Sequence, residues 1–122
     1  MPWNVNTAVA HLNSHAMPAS TSNCAKFVRK AIAAGGVTVV NTNSAKDYGI
    51  RLTNAGFVAV QGAPRAGDVA VIQPIPGHPD GHMTMYNGTQ WVSDYKQPAV
   101  HGYYPSPAYR QQKPPVTFYR KS

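Results

Sequence analysis

The single cysteine of the chain, Cys24, directly follows a run of small polar residues that is typical of the start of a helix. A thiolate is a strong nucleophile, but a free cysteine titrates near ~8.5 and needs assistance at neutral pH. The unpaired N–H groups and the dipole of a helix N-terminus favour the negative sulfur. A nearby histidine can supply the remaining assistance, first to the thiol and later as the proton donor to a leaving amine. Cys24 is therefore a candidate nucleophile.

His82 is the candidate base, and Asp94 is the candidate group that orients it. His82 follows a loop rich in Pro and Gly and begins a predicted strand, which places it at the rim of a sheet. Asp94 lies beyond a hairpin signal, Asn87-Gly88. Counting around a two-residue turn pairs residue 82 with residue 93, so Asp94 is expected within one residue of His82. A slip of one residue would turn the carboxylate to the other face of the sheet.

Each candidate also has a structural interpretation. A lone cysteine on an apolar helix stripe is usually an inert small hydrophobe. His82 could be an ordinary rim residue, with His78 or His101 serving as the base. Asp94 could be a solvated strand residue, and Asp68 is a further acid whose position after a glycine is more typical of a turn or cap.

The elements that must position these residues begin with helices. Apolar side chains recur at i, i+3, i+4, i+7 and i+8 from Cys24 to Ile32, and Gly35-Gly36 ends that helix. A shorter helix is predicted over residues 6–15 and a third over residues 44–54, with Gly56 as its stop. A short strand is predicted over residues 37–40.

The second half of the chain has the character of strands and turns. Strands are predicted over residues 57–60, 68–73, 82–86, 91–95 and 116–119. Residues 98–115, rich in Tyr and Pro, are predicted to be irregular. Helices followed by a meander of strands predict an α+β fold in which the N-terminal helices pack on one face of an antiparallel sheet, as a single domain over residues 1–122.

The composition indicates which kinds of molecule the protein is expected to bind. Lys and Arg number 11 against four acidic residues, a net charge of +7, and such a surface attracts polyanions. The basic residues are scattered and form no block of the nucleic-acid type, so we expect no nucleic acid as partner. No stretch reaches the ~18 apolar residues of a membrane span. A single cysteine excludes an intramolecular disulfide and a Cys-rich metal site.

Four segments together resemble the CHAP family of cysteine- and histidine-dependent amidohydrolases/peptidases, whose wider relatives are the NlpC-type peptidases. Segment 22–28, SNCAKFV, is similar to its nucleophile motif, and segment 66–71, AGDVAV, resembles its Gly-Asp-Val strand. Segment 81–86, GHMTMY, resembles its Gly-His strand, and segment 91–94, WVSD, the strand that carries the third polar residue.

The resemblance implies a papain-like fold and cleavage of amide bonds in peptidoglycan stem peptides or cross-links, with no metal or cofactor. By position, Cys24 matches the nucleophile, His82 the base and Asp94 the third member. Papain-like enzymes that place a Gln shortly before the Cys use it as an oxyanion donor, and no Gln precedes Cys24 here. Asn23, Ser22 or backbone N–H groups are the expected substitutes.

Several aromatic residues are expected to line the substrate groove, namely Tyr86, Trp91, Tyr95 and the tyrosines of residues 103–109. The loop over residues 74–80 is expected to shape the groove beside His82. The alternative is that these aromatics belong to the core or the hairpin. The scissile bond stays open between the γ-D-glutamyl–diaminopimelate bond and the D-Ala–diaminopimelate cross-link.

The small size and the missing secretory signal are also similar to type VI secretion amidase effectors. That resemblance implies a monomer secreted without a signal peptide, acting in the periplasm of a target bacterium. Its expected partners are bacterial peptidoglycan and a cognate immunity protein that blocks the active site. The alternatives are a phage-type lysin of the same chemistry, a papain-like deamidase or transpeptidase, and a basic non-enzymatic module that binds the cell wall.

Overall fold

The computed structural model describes residues 3–19, 21 and 23–121. The helices are α1 (Val5–His15), α2 (Cys24–Ala34), α3 (Tyr48–Asn54) and α4 (Pro107–Gln112). The strands are β1 (Val58–Val60), β2 (Val69–Ile72), β3 (His82–Tyr86), β4 (Trp91–Val92) and β5 (Val116–Arg120). Two 3-10 turns, Ala45–Asp47 and Ala99–His101, lie before α3 and between β4 and α4.

The five strands form one antiparallel sheet in the order β1-β5-β2-β3-β4. The C-terminal strand β5 inserts between β1 and β2, so the sheet is completed by the end of the chain. This places β2 and β3 near the middle, where both consist almost entirely of buried residues. The site residue His82 therefore begins a strand that is held on both sides.

The alternation of side chains along the strands divides the core into two layers. On one face, Val69 and Val71 of β2 and Met83 and Met85 of β3 pack with the apolar side of the helices. On the other face, Ile72 packs with the C-terminal segment, in a smaller cluster with two buried and several half-buried residues. The sheet is thus covered by α1, α2 and α3 on one side and by the segment around α4 on the other.

The predicted α+β class is confirmed, and so is the packing of the N-terminal helices on one face of an antiparallel sheet. The apolar stripe of α2 buries Val28, Ala31 and Ile32, as its spacing predicts. Residues 37–40 do alternate between buried and exposed side chains, but they pair with no strand in the described chain, so the strand predicted there is wrong.

The irregular segment predicted at residues 98–115 is wrong in part, because it contains α4. Ser106 caps this helix through its side chain, and Pro107 occupies the first helical position. The helix has six residues and ends at Lys113 in a left-handed conformation. Its brevity and the surrounding prolines hid its periodicity, although the Ser-Pro start is a recognisable signal.

The hairpin between β3 and β4 has a four-residue loop instead of the predicted two-residue turn. The Asn87 side chain accepts hydrogen bonds from the amides of Thr89 and Gln90, at 2.9 and 2.8 Å, and this lengthens the turn. Tyr86 consequently pairs with Trp91, which shifts the predicted register by two residues. β4 also ends at Val92, so the strand predicted over residues 91–95 is too long.

Candidate active site

An open cleft of about 630 Å³ lies where α2 and β3 begin. Cys24 and His82 both line it, so the two residues predicted to act as nucleophile and base share one cavity. The remaining walls come from the loop before β3, the loop before the Ala45–Asp47 turn, and the segment that leads into α4. Tyr109 of α4 forms part of this last wall and is buried.

Cys24 is the first residue of α2 and is partly exposed. The first N–H groups of a helix have no partner within it. Here the backbone N–H groups of Met83 on β3, and of Ala25 and Cys24, act to lower the pKa of the Cys24 thiol. The sulfur is therefore placed beside the residue that follows His82 and beside N–H groups that favour negative charge.

The partner that orients His82 is Gln97, a residue that the sequence reasoning missed. His82 Nε2 lies 2.8 Å from Gln97 Oε1. Gln97 Nε2 donates to the carbonyl oxygens of Tyr103, at 2.8 Å, and Gly102, at 3.3 Å, so its amide orientation is determined. Because Gln97 Oε1 is an acceptor, His82 Nε2 must carry the hydrogen. In neutral His82 this leaves Nδ1 as the basic nitrogen.

Burial controls the protonation of both groups. Burial raises the pKa of the Cys24 thiol, the nearby Met83 amide offsets part of that effect, and the charge of Asp94 adds to it. Burial also lowers the pKa of the His82 imidazole, although the hydrogen bond that His82 donates to Gln97 and the charge of Asp94 act to raise it. The free protein therefore favours a neutral thiol beside a neutral imidazole.

Asp94 is buried, but it is not brought into hydrogen-bonding contact with His82. Its Oδ2 accepts hydrogen bonds from the Thr21 amide at 2.5 Å, the Thr21 hydroxyl at 2.9 Å and the Asn23 amide at 3.1 Å. Burial alone would raise the pKa of this carboxyl, but the hydrogen bonds from Thr21 and Asn23 outweigh burial and hold its pKa below the ordinary value. Asp94 thus anchors the segment that leads into Cys24.

The early end of β4 is the physical reason for this placement. Because β4 ends at Val92 and the Ser93 amide bonds to the Tyr95 carbonyl in a turn, residue 94 leaves the strand. The carboxylate is redirected toward the start of α2, where free amide groups are available. The predicted hydrogen bond between Asp94 and His82 is replaced by the one between Gln97 and His82.

The residues predicted to bind the oxyanion or substrate have different positions. Asn23 lines the cleft, but its side-chain amide donates to the carbonyl and the hydroxyl of Thr21, both at 3.1 Å, and this engages both of its hydrogens. Ser22 lies outside the described residues. Trp91 is buried and contacts Tyr86, Tyr103 and Phe118, so it is not brought into the cleft.

The alternative candidates for the base and the acid differ in whether they line the cleft. His78 lines the cleft, whereas His101 is exposed and does not. Asp68 forms a salt bridge of 2.7 Å with Arg120, away from the cleft. Of the aromatic residues expected in the groove, Tyr95 and Tyr109 line it.

Within residues 3–19, 21 and 23–121 there is no cluster of three or more His, Cys, Asp or Glu suited to hold a metal.

No protein-family model and no curated protein matches the chain. Two solved structures are similar to it, both of a type VI effector–immunity complex, Tae3–Tai3, from Ralstonia pickettii. The native complex has 49% sequence identity to this chain and a TM-score of 0.94, and covers 98% of this chain and 100% of its own. The selenomethionine form has 51% identity and a TM-score of 0.89, over 93% of this chain and 99% of its own.

The chain belongs to the family of the type VI effector Tae3. The predicted similarity to type VI effectors is thereby confirmed. Because the match spans the full length of the Tae3 chain, the fold described above is that of Tae3. In the part of the chain that the structure describes, no helix has the length and apolarity to cross a membrane.

Proposed function

We propose that this protein is a peptidoglycan amidase or endopeptidase of papain-like design, in which Cys24 is the nucleophile and His82 the base. The observation that supports this most strongly is that the two side chains line one cleft, with Gln97 fixing His82 in the tautomer whose Nδ1 is free to accept a proton. A helix N-terminal thiol and an oriented imidazole are the parts that thiol hydrolysis of an amide requires.

In the acylation step, the Cys24 sulfur attacks the carbonyl carbon of the amide while His82 Nδ1 takes the thiol proton. The amides of Cys24 and Ala25 are the proposed donors to the oxygen that becomes negative. The C–N bond then breaks, and the His82 imidazolium protonates the leaving amine. Gln97 keeps its hydrogen bond to Nε2 throughout and stabilises the imidazolium.

In the deacylation step, His82 removes a proton from water, and the resulting hydroxide attacks the thioester. The C–S bond breaks, the carboxylic acid leaves, and the Cys24 thiol recovers its proton. Because burial favours the neutral forms of both groups, the base is needed to create the thiolate as it attacks. His82 is thus required in both halves of the reaction.

The proposed setting follows from the family. The Tae3 structures contain the immunity protein Tai3, and we propose a cognate immunity protein as the partner of this chain as well. Delivery by a type VI system would carry the enzyme into the periplasm of a target bacterium, where peptidoglycan lies. The charge of +7 suits an anionic cell wall.

Product analysis of digested sacculi tests this proposal. Purified sacculi are incubated with the wild type, with Cys24→Ala, and without protein, and the soluble fragments are separated and weighed by mass spectrometry. We expect new amine and carboxyl termini in peptide fragments with the wild type only. The fragment masses also distinguish the γ-D-glutamyl–diaminopimelate bond from the D-Ala–diaminopimelate cross-link. Glycan cleavage alone, or intact sacculi, would contradict the proposal.

A further inference from the structure

Two cationic side chains line the cleft close to the candidate nucleophile. Lys26 and Arg29 lie on α2, two and five residues after Cys24, and both contribute to the cleft wall. Five residues of α-helix correspond to a rise of about 7.5 Å along the axis. A group bound to Arg29 would therefore lie within one or two peptide residues of an amide bound at Cys24.

Arg29 has a buried donor without a partner. Its Nε is inaccessible to solvent, yet it has no hydrogen-bond acceptor among residues 3–19, 21 and 23–121. A buried donor left unpaired costs free energy comparable to its desolvation, about 1–3 kcal/mol or more for a charged group. Arg29 as a whole is only half-buried and lines the cleft, so a bound ligand can supply an acceptor to its guanidinium.

The acidic residues of the chain do not neutralise Arg29. Asp68 forms the salt bridge with Arg120, and no other salt bridge occurs within the described residues. Asp94 accepts from backbone and hydroxyl groups, and Asp80 accepts from a serine hydroxyl at 2.7 Å. The fourth acid is exposed on the 3-10 turn before α3. The cleft wall therefore carries a guanidinium that has no acidic partner among residues 3–19, 21 and 23–121.

We propose that Arg29 is a specificity residue that binds a carboxylate of the substrate, so that the enzyme selects peptides with a free carboxylate one or two residues from the scissile amide. This inference rests on the proposed function. A guanidinium offers paired N–H donors in a planar fork that fits a carboxylate in a bidentate manner. Lys26 adds positive charge at the exposed end of the same wall.

The chain provides a matched control in Arg51. Arg51 is also half-buried, and its Nε is also buried without a partner, but it lies on α3 and does not line the cleft. An unpaired Nε is therefore not sufficient for the proposed role, and its position in the cleft is what distinguishes Arg29. Arg51→Gln and Arg29→Gln remove the same charge at the two positions.

The test uses two synthetic stem peptides that differ only in the carboxylates flanking the scissile bond, which are free in one and primary amides in the other. We expect the wild type and Arg51→Gln to prefer the free acid by about tenfold to a hundredfold in kcat/KM, the range of a charge-assisted hydrogen bond. Arg29→Gln should lose that preference, mainly through KM. Arg29→Lys should recover the charge but only part of the preference, because it lacks the fork.

Binding to Cys24→Ala protein, measured by calorimetry with the same two peptides, provides a second readout that requires no turnover. The inference would be overturned if the Cys24→Ala protein bound the free-acid peptide and the amide peptide with equal affinity. It would also be overturned if adding Arg29→Gln to that protein left its preference for the free acid unchanged. Cleavage of both peptides at equal rates by the wild type would also overturn it and leave the proposed function intact. If Cys24→Ala hydrolysed the peptides as fast as the wild type does, the proposed function would be overturned instead.

Discussion

At the scale of single residues, the site depends on a glutamine where the sequence suggested an aspartate. A carboxylate and an amide oxygen can both accept the Nε2 hydrogen of His82, but only the amide also donates, and Gln97 uses its donor to bond to two carbonyl oxygens. The result is a neutral acceptor in a fully buried position, where an additional charge would be costly.

Sequence reasoning proposed Cys24 and His82 because their types and positions are rare and carry chemistry, and both line the cleft. It did not identify Gln97, since a glutamine in an apparently irregular stretch has no periodicity or motif to mark it. The contact depends on the turn after β4. There the backbone N–H of Gln97 donates to the backbone carbonyl oxygen of Trp91, and this hydrogen bond brings Gln97 close to His82 of β3. Such a tertiary contact is invisible in the sequence alone.

Replacing Gln97 by leucine tests its positioning role. Without the acceptor, the neutral imidazole can adopt the wrong tautomer, so we expect kcat to fall by about 10²-fold or more while KM changes little. The hydrogen bond raises the pKa of His82, so its loss should also move the acidic limb of the pH–kcat/KM profile to lower pH. A merely structural role would leave that limb unchanged. Gln111→Leu, on the exposed side of α4, is the control.

At the scale of elements, two short segments position the side chains proposed to be catalytic, Cys24 and His82. The turn before β3 ends at Gly81, which has a positive φ of 71°. A side chain there would collide with the backbone oxygen of Ile72, the residue that pairs with His82. Gly81 therefore lets the turn approach the sheet closely enough to start β3 at His82.

Gly81→Ala should be more harmful than Gly77→Ala. Gly77 also has a positive φ, 86°, but no atom lies within 4 Å of a side chain added there. We expect Gly77→Ala to cost about 1–2 kcal/mol for the left-handed backbone alone. Gly81→Ala adds the collision and displaces His82, so it should lower both the unfolding midpoint in urea and kcat. Equal effects of the two substitutions would contradict this account of the turn.

The second of these segments is the one before α2, and Asp94 fixes it through hydrogen bonds. Its carboxylate accepts two hydrogen bonds from Thr21 and one from Asn23, and so fixes the approach to Cys24. The sequence analysis proposed Asp94 as the group that orients His82, but the early end of β4 concealed what it contacts.

We expect Asp94→Asn to reduce stability at pH 7 by about 1–3 kcal/mol, because an amide cannot replace all three interactions. The pKa of Asp94 is lowered in the folded state, so its contribution is present above the unfolded value near ~3.9 and is lost as the pH falls through the folded value. The difference between wild type and variant, measured by urea unfolding, should therefore shrink below about pH 4. Asp47→Asn, at an exposed acid, should change stability little at either pH. A difference that stays constant with pH would contradict the assignment.

At the scale of the whole molecule, the sequence predicted the fold class well because most of its signals are local. The amphipathic stripe of α2 and the β-branched runs of β2 and β5 each indicate their own element. The order of the strands was not predictable in this way, since β5 comes from the end of the chain and inserts between β1 and β2. The segment around α4, which leads into β5, covers the second face of the sheet and brings Tyr109 to the cleft.

The central claim is that the Cys24 sulfur performs the attack on the peptidoglycan amide. The most direct test is the rate of fragment release from purified sacculi by wild type and Cys24→Ala, with the fold of both checked by circular dichroism. Because Cys24 is partly exposed at the start of α2, we expect its substitution to preserve the fold. The account predicts that Cys24→Ala releases fragments no faster than buffer does. A folded Cys24→Ala protein that still releases peptide fragments at a rate above that background would contradict it.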